Sequence, residues 1–219
     1  MTGLCQLLGD WRGDVPTGGI WAERKWDGWR ALRLLTGREG IPGLVTRNGL
    51  PIEGVGHILH RLARMEREAG EPLMFDGEFV VDGTLDATKR WCESGHKMGG
   101  EAGVYHVFDA IPLSDFMARR NAIPLYERKA RLKALWDATQ EDEWEWRAGS
   151  RGRDEGGLSV LLVEDEWLFD RDAVIGRARE IWAGGGEGVV LKDAEAPYEF
   201  RRSNTWRKVK AENISKWSK

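Results

Sequence analysis

The sequence predicts a fold of mixed helices and strands, because helical stretches are separated by short apolar segments in a chain long enough to bury a core. Of its 219 residues, 41% are hydrophobic, which suits one domain with a sizeable core. Apolar residues recur at helical intervals in three stretches, at about residues 54–69, 125–138 and 170–183. Asp170 is a suitable N-cap for the last stretch, and Gly70 favours an end to the first. We interpret the later run Gly184-Gly185-Gly186 as a helix-ending turn rather than a phosphate-binding loop.

Composition indicates a reduced, soluble protein. Cys5 and Cys92 are far apart and lack metal-ligand spacing, so we expect free thiols and no zinc site. Residues 1–19 are only briefly apolar and include Asp10 and Asp14, which fits neither a signal peptide nor a membrane span. We therefore expect a cytoplasmic protein with no membrane contact. The 12 tryptophans are for the most part expected to be packing residues.

The run ERKWDGWR at residues 23–30 contains the pattern K-x-D-G-x-R. A neutral lysine amine can attack the α-phosphorus of a nucleoside triphosphate, and nearby cationic groups favour the neutral form, so Lys25 is a candidate nucleophile. Gly28 would let the backbone approach a ligand, and Arg30 offers a planar fork of donors for oxygen-rich groups. The alternative is a charged β-hairpin with its turn at Asp27-Gly28.

Four later segments combine apolar strand-like patterns with charged or aromatic residues, at residues 75–81, 104–110, 187–192 and 206–210. Asp76 and Glu78 are two positions apart, so on a strand both side chains point to one side. Lys208 and Lys210 share a strand face for the same reason, and Phe108 could stack on a nucleobase. Together the segments supply carboxylates for a metal and ammonium groups for phosphate.

In this order and spacing, the five segments resemble the nucleotidyltransferase domain of the ATP-dependent DNA ligases, a family that shares its core with RNA ligases and messenger-RNA capping enzymes. The resemblance runs from about Trp21 to Lys210. It looks closest to the compact phage DNA ligases, because residues 108–113 and 206–213 are similar to the corresponding stretches of those enzymes. It implies an α+β nucleotidyltransferase (adenylylation) fold in which antiparallel β-sheets flanked by helices enclose an ATP cleft. It also implies an ATP-dependent polynucleotide ligase that seals nicks in duplex DNA through a lysyl-AMP intermediate, during DNA replication or repair in a bacterial or phage-infected cell.

The same resemblance implies that Lys25 becomes adenylylated by ATP. Nucleotide contacts are implied for seven residues: Glu23 at the adenine edge, Phe108 stacked on the base, Arg30 and Glu78 at the ribose, and Lys192, Lys208 and Lys210 at the α-phosphate. Glu187, with Glu78 as a second candidate, would hold a divalent metal, Mg²⁺ or Mn²⁺. Arg47 would contact the 5′-phosphate of the nick, while Asp27 and Asp76 are candidate supporting residues.

Structural explanations stay open beside these roles. Phe108 could belong to the core, residues 47–49 could simply form a hairpin turn, and the lysine pair could lie on a solvated edge. The net charge of −3 is unusual for a protein that binds DNA through Lys and Arg contacts. Basic residues nevertheless cluster, as candidate phosphate-binding surfaces or as solvated helix and loop faces: Arg119, Arg120, Arg128, Lys129, Arg131, Lys133, Arg147, Arg151 and Arg153.

The sequence ends soon after Lys210, so we expect a single adenylylation domain over residues 1–219, a monomer without the OB-fold domain that normally follows in the family. A separate OB-fold or DNA-binding partner is one way to supply that domain's function. Two other functions stay open. The pattern around Lys25 does not fix the base or the acceptor, which leaves an RNA ligase or a capping-type guanylyltransferase. A nucleotide- or nick-binding module with little turnover is the non-enzymatic alternative.

Overall fold

The computed structural model of the protein describes residues 4–36, 40–140 and 159–214. The chain falls into two compact units, each built on its own β-sheet. The first unit comprises the residues up to 27, residues 120–126 and the residues from 163 onward, and the second comprises residues 28–119 and 127–162. The expectation of a single domain stays a prediction.

The chain contains both strands and helices, as an α+β fold does. Up to residue 93 they are β1 (Leu7–Asp10), β2 (Ile20–Lys25), β3 (Trp29–Thr36), β4 (Ile41–Thr46), β5 (Pro51–Ile52), α1 (Gly56–Ala69), β6 (Leu73–Val80) and α2 (Leu85–Glu93). After a short 3-10 helix (Gly95–Met98) they are β7 (Val104–Pro112), α3 (Leu113–Ala118), α4 (Leu125–Ala138), β8 (Val160–Leu162), β9 (Asp165–Leu168), α5 (Arg171–Ala183), β10 (Gly188–Lys192), β11 (Arg202–Lys210) and α6 (Ala211–Ile214).

The first unit is built on a sheet with the strand order β1-β11-β10-β2-β9. β1 runs parallel to β11, and the other neighbouring strands are antiparallel. One face of this sheet packs with α5 around a core of buried apolar residues: Trp11, Ile20, Ala22, Val174, Ala178, Ile181, Val189, Leu191 and Val209. Because side chains alternate along a strand, the charged motif residues of β2, β10 and β11 lie on the other face.

The second unit is built on a sheet with the order β5-β4-β3-β6-β7-β8, in which only the described pair β7 and β8 is parallel. Helices α1 and α4 pack against it through buried apolar residues: Ile58, Leu62, Met65, Leu132 and Leu135, which meet Phe75, Phe79 and Val107. The hydroxyl of buried Tyr105 lies 2.9 Å from the carbonyl oxygen of Ala31 and 3.0 Å from that of Phe75. This side chain therefore joins β7 to both β3 and β6.

All three helix predictions are confirmed. α1 ends at Gly70, whose φ of 70° is left-handed, α4 has the predicted bounds, and the Asp170 carboxylate accepts a 2.8 Å hydrogen bond from the backbone N–H of Ala173 at the start of α5. The N–H groups of Gly184, Gly185 and Gly186 donate back to carbonyls of α5, so this run is a helix-ending turn. The short helices α2 and α3 are not predicted, because 9 and 6 residues carry too little periodicity.

The hairpin alternative for residues 23–30 is wrong, because β2 and β3 belong to different sheets. Gly28 is still required, for a reason other than ligand approach. A Cβ added at this position would lie 2.3 Å from the carbonyl oxygen of Phe79, so the glycine allows two backbone segments to pass closely.

Other composition-based expectations can also be compared with the structure. Cys5 and Cys92 are free thiols, as expected. The described tryptophans are mostly buried or half-buried, although Trp167 is 46% exposed. Within the described part of the chain, no helix combines the length and the apolar character needed to cross a membrane.

The basic cluster on α4 is not wholly solvated, which corrects one expectation. Arg128 is 2% exposed and Asp109 is fully buried. Their side chains form a bidentate pair, with Nε to Oδ1 at 2.9 Å and Nη2 to Oδ2 at 2.8 Å. Arg131 is half-buried and Lys133 is exposed, and they pair with Glu71 and Asp137. The three later arginines of the basic clusters, Arg147, Arg151 and Arg153, lie outside the described residues.

Replacing Asp109 with Asn should destabilise the second unit strongly, because it leaves the buried Arg128 guanidinium without its counter-charge. Breaking a buried ion pair from one side costs ~3–5 kcal/mol of unfolding free energy. Urea denaturation measures this change. The matched control is Asp137→Asn, which removes the exposed partner of Lys133 and should change stability by less than ~1 kcal/mol. Equal effects of the two substitutions would contradict a structural role for the buried pair.

Candidate active site

Five of the predicted nucleotide-site residues lie on one face of the first sheet. Cross-strand partners point to the same face, and the strand register sets them in three rows: Lys25, Gly188 and Lys210; Glu23, Val190, Lys208 and Asp10; and Trp21, Lys192 and Trp206. The lysines and acids of β2, β10 and β11 are therefore brought together by pairing between strands that are far apart in the chain.

Glu187 binds two of the lysines at once. Its Oε2 accepts a hydrogen bond from Lys25 Nζ, and its Oε1 is paired with Lys210 Nζ. Burial raises the pKa of Glu187, but the hydrogen bonds from Lys210 and Lys25 outweigh burial and hold this pKa below its ordinary value. The hydrogen bond that Lys210 donates to Glu187 raises the pKa of Lys210, and the nearby charge of Asp27 adds to this effect. The carboxylate is thus ionised and held beside the candidate nucleophile.

Backbone geometry places Glu187 between these lysines. Gly188 has a φ of 149°, and a Cβ added there would lie 2.1 Å from the carbonyl oxygen of Val209. Glycine is therefore needed in the middle of the first row, and no side chain separates Lys25 from Lys210 there. The Trp182 indole N–H donates a 3.1 Å hydrogen bond to the carbonyl oxygen of Glu187, which fixes the main chain of this residue from α5.

Glu23 and Lys192 form a second, deeply buried pair. Lys192 Nζ lies 2.7 Å from Glu23 Oε2 and 4.2 Å from the ring centroid of Trp206. The two charged side chains are 1–2% exposed, and burial at this level requires the partner charge. Lys192 is four positions along β10 from Gly188, or ~13 Å, so it lies with Glu23 rather than beside Lys25 as the α-phosphate assignment expected.

The candidate ribose and base residues lie in the second unit. Arg30 binds Asp76 through Nε to Oδ1 at 2.8 Å and Nη2 to Oδ2 at 2.5 Å. Asp76 is fully buried, so it holds Arg30 in place. Glu78, two positions further along the same strand, accepts a 3.2 Å hydrogen bond from the N–H of Gly28.

Phe108 is half-buried and lies outside the buried core. It is the extra residue where β7 shifts register against β6, and the guanidinium of Arg30 lies 5.3 Å from its ring centroid. The ring of Phe108 is therefore partly accessible and lies beside Arg30.

Arg47 lies at the exposed turn between β4 and β5. The N–H groups of Asn48 and Leu50 bond the Thr46 hydroxyl, and Gly49 has a φ of 83°. The turn interpretation is confirmed, and it presents the guanidinium at the surface.

The carboxylate that pairs with both lysines of the first row, that of Glu187, is the candidate metal ligand. Among residues 4–36, 40–140 and 159–214, no three His, Cys, Asp or Glu side chains group closely enough to hold a metal. Mg²⁺ in phosphoryl-transfer sites is commonly held by one or two carboxylates plus substrate phosphate oxygens and water. The Glu187 carboxylate, which forms ion pairs with Lys25 and Lys210, fits such a site.

Asp10 lies beside the motif residue Lys208, a contact that the sequence analysis does not predict. Its Oδ1 lies 3.3 Å from Lys208 Nζ, because β1 runs beside β11 with Asp10 opposite Lys208. A single apolar Leu-Leu pair before Gly9 carries no clear strand signal, and a parallel pairing between distant segments has no local signature.

Replacing Glu187 with Gln should remove a pH-dependent contribution to stability. Because the folded state holds the pKa of this carboxyl below its ordinary value of 4.5, its contribution is full above that value and is lost as the pH falls through the folded-state pKa. Wild type should therefore resist denaturant better than Glu187→Gln at pH 7, and the difference should vanish in strong acid. Glu180→Gln, at an exposed acid of α5, is the control and should follow wild type. A gap that stays constant from neutral to acid pH would contradict this account.

Comparison with known proteins agrees with the geometry. Residues 14–210 match the family described as the ATP dependent DNA ligase domain. The multifunctional non-homologous end joining protein LigD of Pseudomonas aeruginosa is 32% identical over 206 residues, covering 91% of this chain and 21% of LigD. A solved structure named Pmar-Lig_PreS3 has a TM-score of 0.71 at 25% identity, covering 94% of this chain and 46% of its own.

The ATP-dependent DNA ligase of bacteriophage T7, solved in complex with ATP, shares the fold with a TM-score of 0.72 at 16% identity, over 95% of this chain and 69% of the phage chain. The present chain thus spans only 21% of LigD and 46% of Pmar-Lig_PreS3. The α+β nucleotidyltransferase fold expected from the sequence is confirmed. Since the family match extends over residues 14–210, the chain belongs to the ATP-dependent DNA ligase domain family.

Proposed function

We propose that this chain is the adenylylating part of an ATP-dependent DNA ligase, which seals 5′-phosphate/3′-hydroxyl nicks in duplex DNA. The observation that carries the proposal is the row of Lys25, Gly188 and Lys210 bound through Glu187, in a chain of this family. A lysine nucleophile beside a second lysine and a carboxylate matches the requirements of nucleotidyl transfer.

In the first step, Lys25 Nζ attacks the α-phosphorus of ATP. A nitrogen–phosphorus bond forms while the bond to pyrophosphate breaks, and the amine gives up a proton. A divalent metal, Mg²⁺ or Mn²⁺, would be held by Glu187 and would neutralise phosphate charge when bound. The proton leaves to water, and the cationic neighbours Lys208 and Lys210 favour the neutral form of the Lys25 amine.

Lys208 and Lys210 are the lysines that support the α-phosphate in this proposal, because Lys210 shares the row of Lys25 and Lys208 lies in the next row. Lys192 is reassigned to the adenine edge, since it is paired with Glu23 and the two residues together offer a donor and an acceptor. In the second unit, Phe108 would stack on the base, Arg30 and Glu78 would bind the ribose, and Arg47 would contact the 5′-phosphate of the nick.

In the second step, AMP moves from Lys25 to the 5′-phosphate of the nick and forms an activated diphosphate. The 3′-hydroxyl then attacks that 5′-phosphate, a phosphodiester forms, and AMP leaves. Both later steps depend on holding two DNA ends in line, and such positioning alone can accelerate a reaction greatly.

Labelled ATP or GTP, offered with nicked duplexes built from DNA or RNA strands, tests the nucleotide and the acceptor together. Adduct formation with GTP alone, or sealing only of RNA, would overturn the DNA ligase proposal.

Replacing Lys25 with Arg should abolish the covalent nucleotide adduct while leaving the fold intact, because a guanidinium stays protonated and cannot act as the amine nucleophile. The readout is a mass increase of one AMP, measured at matched thermal stability. Lys133→Arg changes an exposed lysine of α4 and should retain the adduct. An undiminished adduct on the Lys25→Arg protein would rule out the nucleophile assignment.

Replacing Phe108 with Ala should weaken ATP binding while sparing the sealing of a pre-adenylylated nick. Stacking of an aromatic ring on a base is worth ~1–3 kcal/mol of binding free energy. A buried core phenylalanine would instead cost ~3–5 kcal/mol of unfolding free energy on truncation. Calorimetric ATP binding and thermal melting separate the two roles, and a stability loss without a change in ATP affinity would support the core role.

A further inference from the structure

We propose that Asp10 is a positioning residue that competes with substrate phosphate for Lys208. The inference rests on the proposed function, in which Lys208 supports the α-phosphate of ATP. Asp10 lies outside the five sequence segments that resemble the ligase motifs, and it reaches the site from the N-terminal strand β1, where its Oδ1 lies 3.3 Å from Lys208 Nζ.

The backbone holds Asp10 at this place. The register of β1 against β11 shifts between Leu8 and Gly9, and a Cβ at Gly9 would lie 2.8 Å from the carbonyl oxygen of Ser203. On the other side of Asp10, the N–H of buried Trp11 donates a 3.1 Å hydrogen bond to the carbonyl oxygen of Lys208 itself. The acid is therefore fixed opposite its lysine from both sides, unlike a chance pair between two long surface side chains.

Charge balance explains what this acid does. The four lysines of the motif rows are all bonded to carboxylates: Lys25 and Lys210 to Glu187, Lys192 to Glu23, and Lys208 to Asp10. The side chain of Glu23 is 2% exposed and that of Glu187 is 18% exposed, whereas that of Asp10 is 68% exposed. Asp10 is thus the carboxylate of this set that water can solvate most readily when a phosphate takes its place on the ammonium.

As a consequence, the site binds phosphate less tightly than it would without the Asp10 charge. An incoming phosphate oxygen and the Asp10 carboxylate are both anionic acceptors for one ammonium, so they repel each other near Lys208. Removing the Asp10 charge should strengthen phosphate binding by about two- to fivefold, the range that corresponds to an exposed ion pair. Affinity that ATP and the transition state share lowers the ATP concentration that the site needs but adds nothing to the rate at saturating ATP.

The test compares Asp10→Asn with Asp14→Asn. Asp14 is an equally exposed acid of the same segment, at 66%, but it pairs with Arg207, which is adjacent to Lys208 on β11 and so faces the other side of the sheet. ATP affinity is measured by calorimetry in a Lys25→Arg background, where no adduct forms. We expect Asp10→Asn to bind ATP about two- to fivefold more tightly, Asp14→Asn and Asp10→Glu to match the parent, and the gain to shrink with added salt.

The second readout is the rate at which the chain with native Lys25 forms the adduct, measured over a range of ATP concentrations. Asp10→Asn should lower the KM for ATP while the rate at saturating ATP stays within about twofold. Unchanged or weaker ATP binding by Asp10→Asn, or an equal gain with Asp14→Asn, would overturn the inference. ATP binding without an adduct on Lys25 would overturn the proposed function alone, and failure of every variant to bind ATP would overturn both.

Discussion

The hydrogen bonds of Glu187 to Lys25 and Lys210 are the interaction on which the candidate site depends. One carboxylate between two ammonium groups keeps like charges at close range without a net repulsion. Its position follows from the backbone, because only a glycine fits at position 188. The register of β10 with β2 and β11 then brings both lysines to the same row. The reactive lysine thus has its surroundings set by strand pairing rather than by a loop.

Each unit also contains a buried ionic pair away from this row. Glu23 pairs with Lys192, whose Nζ lies over the ring of Trp206, in the first sheet, and Asp109 and Arg128 join β7 to α4 in the second unit. Such pairs contribute little net stability relative to apolar packing, but the loss of one partner is costly. They therefore restrict which substitutions the motif strands tolerate, even at positions that never contact a ligand.

Local sequence was sufficient for the features that repeat along one segment. Helical periodicity and terminal glycines predicted α1, α4 and α5, and the two-residue spacing of Lys208 and Lys210 placed them on one face. Long-range register was not accessible in this way. The pairing of Lys192 with Glu23, the burial of Arg128 and the approach of Asp10 to Lys208 each join segments distant in the chain. The role of Gly28 was missed for the same reason, since the carbonyl that excludes a Cβ belongs to Phe79.

The end of α5 affects the surroundings of the candidate nucleophile, Lys25. Trp182 binds the carbonyl of Glu187, and the glycine run folds the chain back before β10 begins. Helix ends open more easily than helix centres. Local fraying of the last turn of α5 would release the main chain of Glu187 while the sheet stays folded. The position of the carboxylate beside Lys25 therefore depends on the last turn of α5 as well as on strand pairing.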